Sequence, residues 1–196
     1  MFANRYTAVI DACSLVSVWR RNLLLTLAEA EFFRVRWSDK ILHETELALH
    51  KIHEERGSDD PAGRARRAIA SMRRAFPEAS VEDYENLICA CEELPDADDR
   101  HVVAAAIRTQ AQAIVTENLR DFPAAILIGF GLEARCADDF IADTIALDEG
   151  RAIAAIRQMR ERLKKPELGP EELIRSLEAN SLIETATILS EHVASL

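Results

Sequence analysis

Up to about residue 141, short unbroken apolar runs alternate with longer stretches whose apolar residues recur every three or four positions; beyond it only the second pattern remains. Thr7-Ala8-Val9-Ile10-Asp11 is the first run, a buried strand ending on a carboxylate. Leu15 to Glu31 predicts a helix with Leu15, Val18, Trp19, Leu23 and Leu27 on one stripe. Phe32 to Trp37 partly alternates and suits a second strand. Ser38-Asp39 caps the next helix, whose apolar side carries Ile41, Leu42, Thr45, Leu49 and Ile52. Gly57-Ser58-Asp59-Asp60-Pro61 marks a loop, and a helix then runs towards Pro77. A short strand near Val81 and a helical turn or two lead to Pro95. An alanine-rich helix follows, then a buried strand at Ala113-Ile114-Val115-Thr116, a helix from about Phe122 to Gly129 and a last small strand, Glu133 to Cys136. Asp138-Asp139 is positioned to cap a helix beginning with Phe140-Ile141.

From Ala142 onward three amphipathic stretches remain, 142–165, 170–179 and 181–195. Lys164-Lys165-Pro166 ends the first, Gly169-Pro170-Glu171-Glu172 starts the second, and Asn180-Ser181 separates the second from the third. Strands alternating with helices predict an α/β fold, a parallel sheet with helices on both faces. The expected division is a domain at 1–141 and a helical C-terminal extension at 142–196.

Composition narrows the function classes. A chain that is 48% hydrophobic and 30% charged is globular rather than disordered. Its net charge of -10 excludes a surface that is basic throughout, so any nucleic-acid contact must be local. One helix breaks the acidic trend: Arg64, Arg66, Arg67, Arg73 and Arg74 lie between Pro61 and Pro77 with no acid among them, which suits either phosphate contact or a solvated face. No apolar run approaches the roughly 20 residues of a membrane span. Met1-Phe2-Ala3-Asn4-Arg5-Tyr6 has no signal-peptide layout, so a cytoplasmic location is expected. Cys13, Cys89, Cys91 and Cys136 lack zinc-site spacing and are expected to be buried free thiols.

The candidate chemistry is acidic. Leu94-Pro95-Asp96-Ala97-Asp98-Asp99 sets three carboxylates within four residues, directly before Val102, Val103 and Ile107 of an apolar helix. Asp96 or Asp98 can cap that helix; one aspartate would suffice, and three suggest a cation site. Asp11 ends the first strand, where ligands collect in open parallel sheets. Glu44 and Glu46 compete on the second predicted helix: about 200° apart at 3.6 residues per turn, only one can face a shared site, and periodicity does not choose. Glu117, Asn118 and Asp121 follow the strand at 113–116. Three or four carboxylates and an amide suit Mg²⁺ or Mn²⁺ better than zinc. His43 and His101 read as structural or surface residues.

Val9-Ile10-Asp11-Ala12, Ile41-Leu42-His43-Glu44, Asp98-Asp99-Arg100-His101-Val102-Val103-Ala104-Ala105-Ala106 and Ile114-Val115-Thr116-Glu117-Asn118-Leu119-Arg120-Asp121-Phe122-Pro123 resemble the four signature segments of PIN-domain nucleases, in the family's order. The nearest resemblance is to VapC-type toxins of type II toxin–antitoxin pairs, including a subgroup with a helical C-terminal extension. It covers about residues 5–141 well and the tail loosely. It implies a three-layer α/β/α PIN-like fold, an Mg²⁺- or Mn²⁺-dependent endoribonuclease, an RNA substrate and a small cognate antitoxin. Because its helices start without a flexible linker, the tail is expected to pack on its own domain with a share in homodimer formation. The family's metal ligands map onto Asp11, Glu44 and Asp99. Asn118 and Asp121 complete the catalytic set, and Asp96, Asp98, Ser14 and Thr116 assist. Asn118 stands where many members have an aspartate, and Cys13 where serine or asparagine is common, with Ser14 a candidate for the missing hydroxyl. The rival from another class is a catalytically weak PIN-like module that binds RNA or protein. A flavodoxin-like reading lacks its glycine-rich phosphate loop.

Overall fold

In the computed structural model, which describes residues 6–164 and 167–196, five parallel strands lie in the order β3-β2-β1-β4-β5. They are β1 (Thr7–Ile10), β2 (Arg34–Ser38), β3 (Ser80–Val81), β4 (Ala113–Val115) and β5 (Glu133–Arg135). All four residues of β1 and all three of β4 are buried, as expected of central strands covered on both faces. The chain builds from β1 outward to β3, then returns to place β4 on β1's other side. The order therefore reverses between β1 and β4, and the crevice beyond their C-terminal ends is where such sheets hold ligands. Pairing of Ile10 with Val115 sets Asp11 beside Thr116 there.

The helices before β4 are α1 (Ala12–Val16), α2 (Val18–Glu29), α3 (Asp39–Glu55), α4 (Pro61–Ala75) and α5 (Arg100–Arg108). The helix expected from Leu15 to Glu31 is two helices. Ser17 is extended (ψ 126°), and Arg21 Nη1 donates to Leu15 O at 2.6 Å, satisfying a free carbonyl at the break. Val18 consequently leaves the buried stripe and is exposed, while Leu15, Leu23 and Leu27 remain in the core. Ser38 Oγ accepts from Ile41 N at 3.2 Å, so α3 is capped as its sequence predicts. Asp60 caps α4 through Gly63 N.

Beyond β4 come α6 (Ala124–Leu127), α7 (Ala137–Ala146), α8 (Glu149–Arg162), α9 (Pro170–Glu178) and α10 (Ile183–Ser190). The stretch 142–165 is divided at 147–148, where Asp148 accepts from Arg151 N and starts α8. Lys165 and Pro166 of the expected break, and residues 1–5, lie outside the described residues. Asp138-Asp139 does not cap the helix at Phe140. That helix starts earlier, at Ala137, with Cys136 Sγ accepting from Asp139 N, and Asp138 instead accepts from Glu184 N and Thr185 N, capping α10. The tail shares one hydrophobic core with the sheet domain: Ile153, Ile156, Met159, Leu173 and Leu177 belong to the cluster that holds Leu23, Leu27 and Ile10. Arg151 lies 4.1 Å over the Phe32 ring, and Arg162 pairs with Glu29 at 3.1 Å. No described helix is long and apolar enough to cross a membrane.

Candidate active site

Asp11 sits at the switch point, 6% exposed. Its Oδ1 accepts from Ala12 N at 2.7 Å, so it caps α1 as well as lining the crevice. Its Oδ2 accepts from Thr116 Oγ1 at 2.8 Å and from Cys13 Sγ at 3.0 Å. Thr116 Oγ1 in turn accepts from Asn118 N at 3.1 Å. One buried carboxylate thus fixes the ends of β1 and β4 to each other. Ser14 does not replace a hydroxyl at Asp11: its Oγ points to Glu117 Oε1, 3.4 Å away, and Cys13 occupies the donor position. Burial, then the charge of Asp11, pushes the Cys13 thiol up to about 11, so it is a donor here rather than a nucleophile.

Asp96, Asp99 and Asp121 bring one oxygen each to within 4.8 Å of the others. Neither Asp96 nor Asp98 caps α5, contrary to the local reading. Asp96 Oδ1 closes a tight turn onto Asp98 N at 2.8 Å, Asp98 is exposed, and Asp99 occupies the cap position without a capping bond. Asn118 Nδ2 donates to Asp121 Oδ2 and orients it. Asp99 is pushed up to about 6, first by burial and then by the negative charges of Asp11, Asp96 and Asp121, while His101 pulls the other way. Its Oδ2 is buried without a hydrogen-bond partner.

Glu44, not Glu46, meets the α5 side of the crevice. Its Oε1 lies 3.1 Å from His101 Nε2 and 3.8 Å from Lys40 Nζ. Lys40 Nζ also donates to Asp98 O at 3.4 Å. Nothing in the local pattern announced Lys40. His101 was legible in principle: a histidine opening an otherwise apolar helix cannot be buried without a polar partner. Expected as structural or surface, it is buried against a candidate ligand, while His43 is exposed. Glu117, one of the polar groups after β4, joins Arg20 at 3.1 Å and accepts from Ala137 N at 3.1 Å, tying the end of β4 to the start of α7.

The basic helix α4 packs along α3. Arg67 pairs with Asp60 and Arg73 with Asp39; Arg64, Arg66 and Arg74 are exposed without an ion pair among the described residues. All four cysteines are free, but only Cys91 is buried: Cys89 is exposed and Cys13 and Cys136 are intermediate, so the expected burial holds for one thiol.

These donors suit a divalent cation. They are oxygens, burial and then their mutual repulsion raise Asp99, and one buried oxygen has no partner; a hard cation among them relieves these costs. The tight cluster is Asp96, Asp99 and Asp121, with Asp11 close enough to act on Asp99. Glu44 approaches from α3, tied to α5 through His101.

Comparison with known proteins gives two family matches: the PIN domain over residues 7–120 and the VapC50 C-terminal domain over residues 137–191. A Mycobacterium tuberculosis protein named "Putative ribonuclease VapC50" is 37% identical over 110 residues, covering 56% of this chain and 64% of that relative. The matched segment spans less than two thirds of the relative's length. No solved structure matches.

Proposed function

Since the chain belongs to the PIN-domain family and carries a VapC50-type C-terminal domain, we propose that it is a divalent-metal-dependent endoribonuclease, the toxin of a toxin–antitoxin pair in the cytoplasm. The observation that carries this reading is the convergence of Asp11, Asp96, Asp99 and Asp121 at the switch point, with a buried Asp99 oxygen left unpaired. In this reading residues 1–141 form the nuclease domain and 142–196 its helical extension. Asp11, Glu44 and Asp99 hold Mg²⁺ or Mn²⁺, with Asp96 and Asp121 assisting.

The cation supplies charge stabilisation at the scissile phosphate and a more acidic water. The chain's own residues do the rest. Thr116 and Cys13 hold Asp11 by two hydrogen bonds to Oδ2, and Oδ1, which accepts only from Ala12 N, keeps a lone pair for the site. Asn118 orients Asp121. Because Cys13 keeps its proton, no thiolate competes with water as nucleophile. Arg64, Arg66 and Arg74 offer phosphate contacts outside the acidic crevice. The antitoxin of this proposal inserts an arginine or lysine among the carboxylates, where it stands in for the cation and offers no water to activate.

Cleavage of total RNA by the purified chain with Mn²⁺ or Mg²⁺, compared with Asp11→Ala, tests the reading. Loss of a metal-dependent activity in the variant is the expected result. The second reading, a PIN-like module that binds RNA or protein without turnover, draws on the tight cluster being Asp96, Asp99 and Asp121 rather than the expected triad. RNA binding without cleavage at saturating Mn²⁺ would favour it.

A further inference from the structure

We propose that His101 is a positioning residue for Glu44, holding its carboxylate so that one oxygen stays available to the cation; this deepens the proposed metal-dependent function and rests on it. His101 is 2% exposed, on the buried face of α5 among Val102, Val103, Ala104 and Ala105. A carboxylate can only accept, so the 3.1 Å contact from Nε2 to Glu44 Oε1 requires the hydrogen on Nε2. That leaves Nδ1 buried and without a partner, in either protonation state. For the fold alone this is a poor arrangement, since leucine would fill the space without an orphaned nitrogen. What the histidine accomplishes is directional. Lys40 Nζ, the other group paired with Glu44, also approaches Oε1, so Oε2 is left without a partner among the described residues. Glu44 sits on α3, which among the described residues also reaches the loop carrying Asp96 and Asp99 through Lys40 Nζ to Asp98 O. The 3.1 Å contact from α5, two residues after Asp99, holds its carboxylate relative to the Asp96/Asp99/Asp121 cluster, as outer partners of metal ligands commonly do.

The test titrates Mn²⁺ alone into the full-length chain by calorimetry, alongside RNA cleavage and the melting temperature of the metal-free protein. His101→Leu is expected to weaken Mn²⁺ binding about 10- to 100-fold, with a metal-free melting temperature unchanged or raised. His101→Gln, whose amide can donate from nearly the same place as Nε2, should restore affinity to within several-fold of the original. In a Glu44→Ala background, His101→Leu should add no further loss, because the residue acts through Glu44. Unchanged Mn²⁺ affinity in His101→Leu, no rescue by glutamine, or a full additional loss in the Glu44→Ala background overturns the proposal. Should His101→Leu not fold, His101→Asn, too short to reach Oε1, takes its place against glutamine. A wild-type chain that binds Mn²⁺ but cleaves no RNA sinks the ribonuclease reading while leaving this comparison decisive. One that binds no Mn²⁺ sinks both.

Discussion

Asp99 bears the electrostatic cost of the site, and that cost has a measurable sign. Its ordinary value is 3.8, and in the fold it lies at about 6. Between those values the folded protein binds more protons than the unfolded chain, so this group makes stability fall as pH rises from about 4 to about 6. Asp99→Asn should therefore raise the melting temperature of the metal-free protein at pH 7.5. The gain should be about 2–4 °C, for a partly exposed group worth roughly 1 kcal/mol in a chain of this size. At pH 4 and below it should vanish. Saturating Mn²⁺ should reverse the ranking, stabilising the wild type and not the variant. A variant no more stable than wild type at pH 7.5 would mean that Asp99 is not strained by its neighbours. The choice on α3 is tested at the same scale. Glu44→Ala should abolish cleavage and Glu46→Ala should leave it within a few-fold, because Glu44 meets His101 while its rival points elsewhere around the helix. The opposite pattern would move the site to the other face.

At the scale of elements, what could be read locally is what local forces determine. The amphipathic period of α3 and α4, the Ser38 cap and the buried run of β1 need only their own residues, and they stand as expected. The break at Ser17 depends on Arg21 reaching back to Leu15, a contact that periodicity cannot register. Asp98 was legible as an acid, but not that the Asp96 turn would leave it exposed and α5 uncapped. Asp138 caps a helix some 46 residues downstream, which no local reading could supply. The basic helix shows the same division. Five arginines look alike in sequence, yet Arg67 and Arg73 are committed to Asp60 and Asp39. Neutralising Arg64, Arg66 and Arg74 together should flatten the salt dependence of RNA binding, by roughly 0.7 in slope for each single-strand phosphate that no longer meets a cation. Neutralising Arg67 and Arg73 should cost at most about 1 kcal/mol of stability, as exposed pairs do, and change the slope less. Equal slopes for all three proteins would make α4 a solvated face.

For the whole molecule, the reversal of strand order between β1 and β4 converts residues far apart in sequence into one crevice, and the tail stabilises the domain that carries it from elsewhere. Residues of α7 and α8 lie in the same core as α2, and among the described residues no acid of the crevice comes from the tail. Glu117 joins the end of β4 to Ala137 N at the start of α7, the helix that leads into the tail. This arrangement predicts separable losses. Asp138→Ala removes the cap shared by Glu184 N and Thr185 N, and should lower stability by about 1 kcal/mol while leaving RNA cleavage at permissive temperature unchanged. Truncation after Asp139 is more severe, because it strips Ile145, Ile153 and Ile156 from the core and uncovers the α2 face bearing Leu23 and Leu27. Burial of a single such side chain is worth about 1.5–3 kcal/mol, so losing several exceeds the margin of an ordinary domain. The truncated chain should therefore aggregate or associate rather than lose catalytic rate per folded molecule, which light scattering and Mn²⁺ calorimetry on any soluble fraction would distinguish. A soluble, monomeric truncation that binds Mn²⁺ normally but no longer cleaves RNA would overturn this division and place substrate recognition in the C-terminal helices.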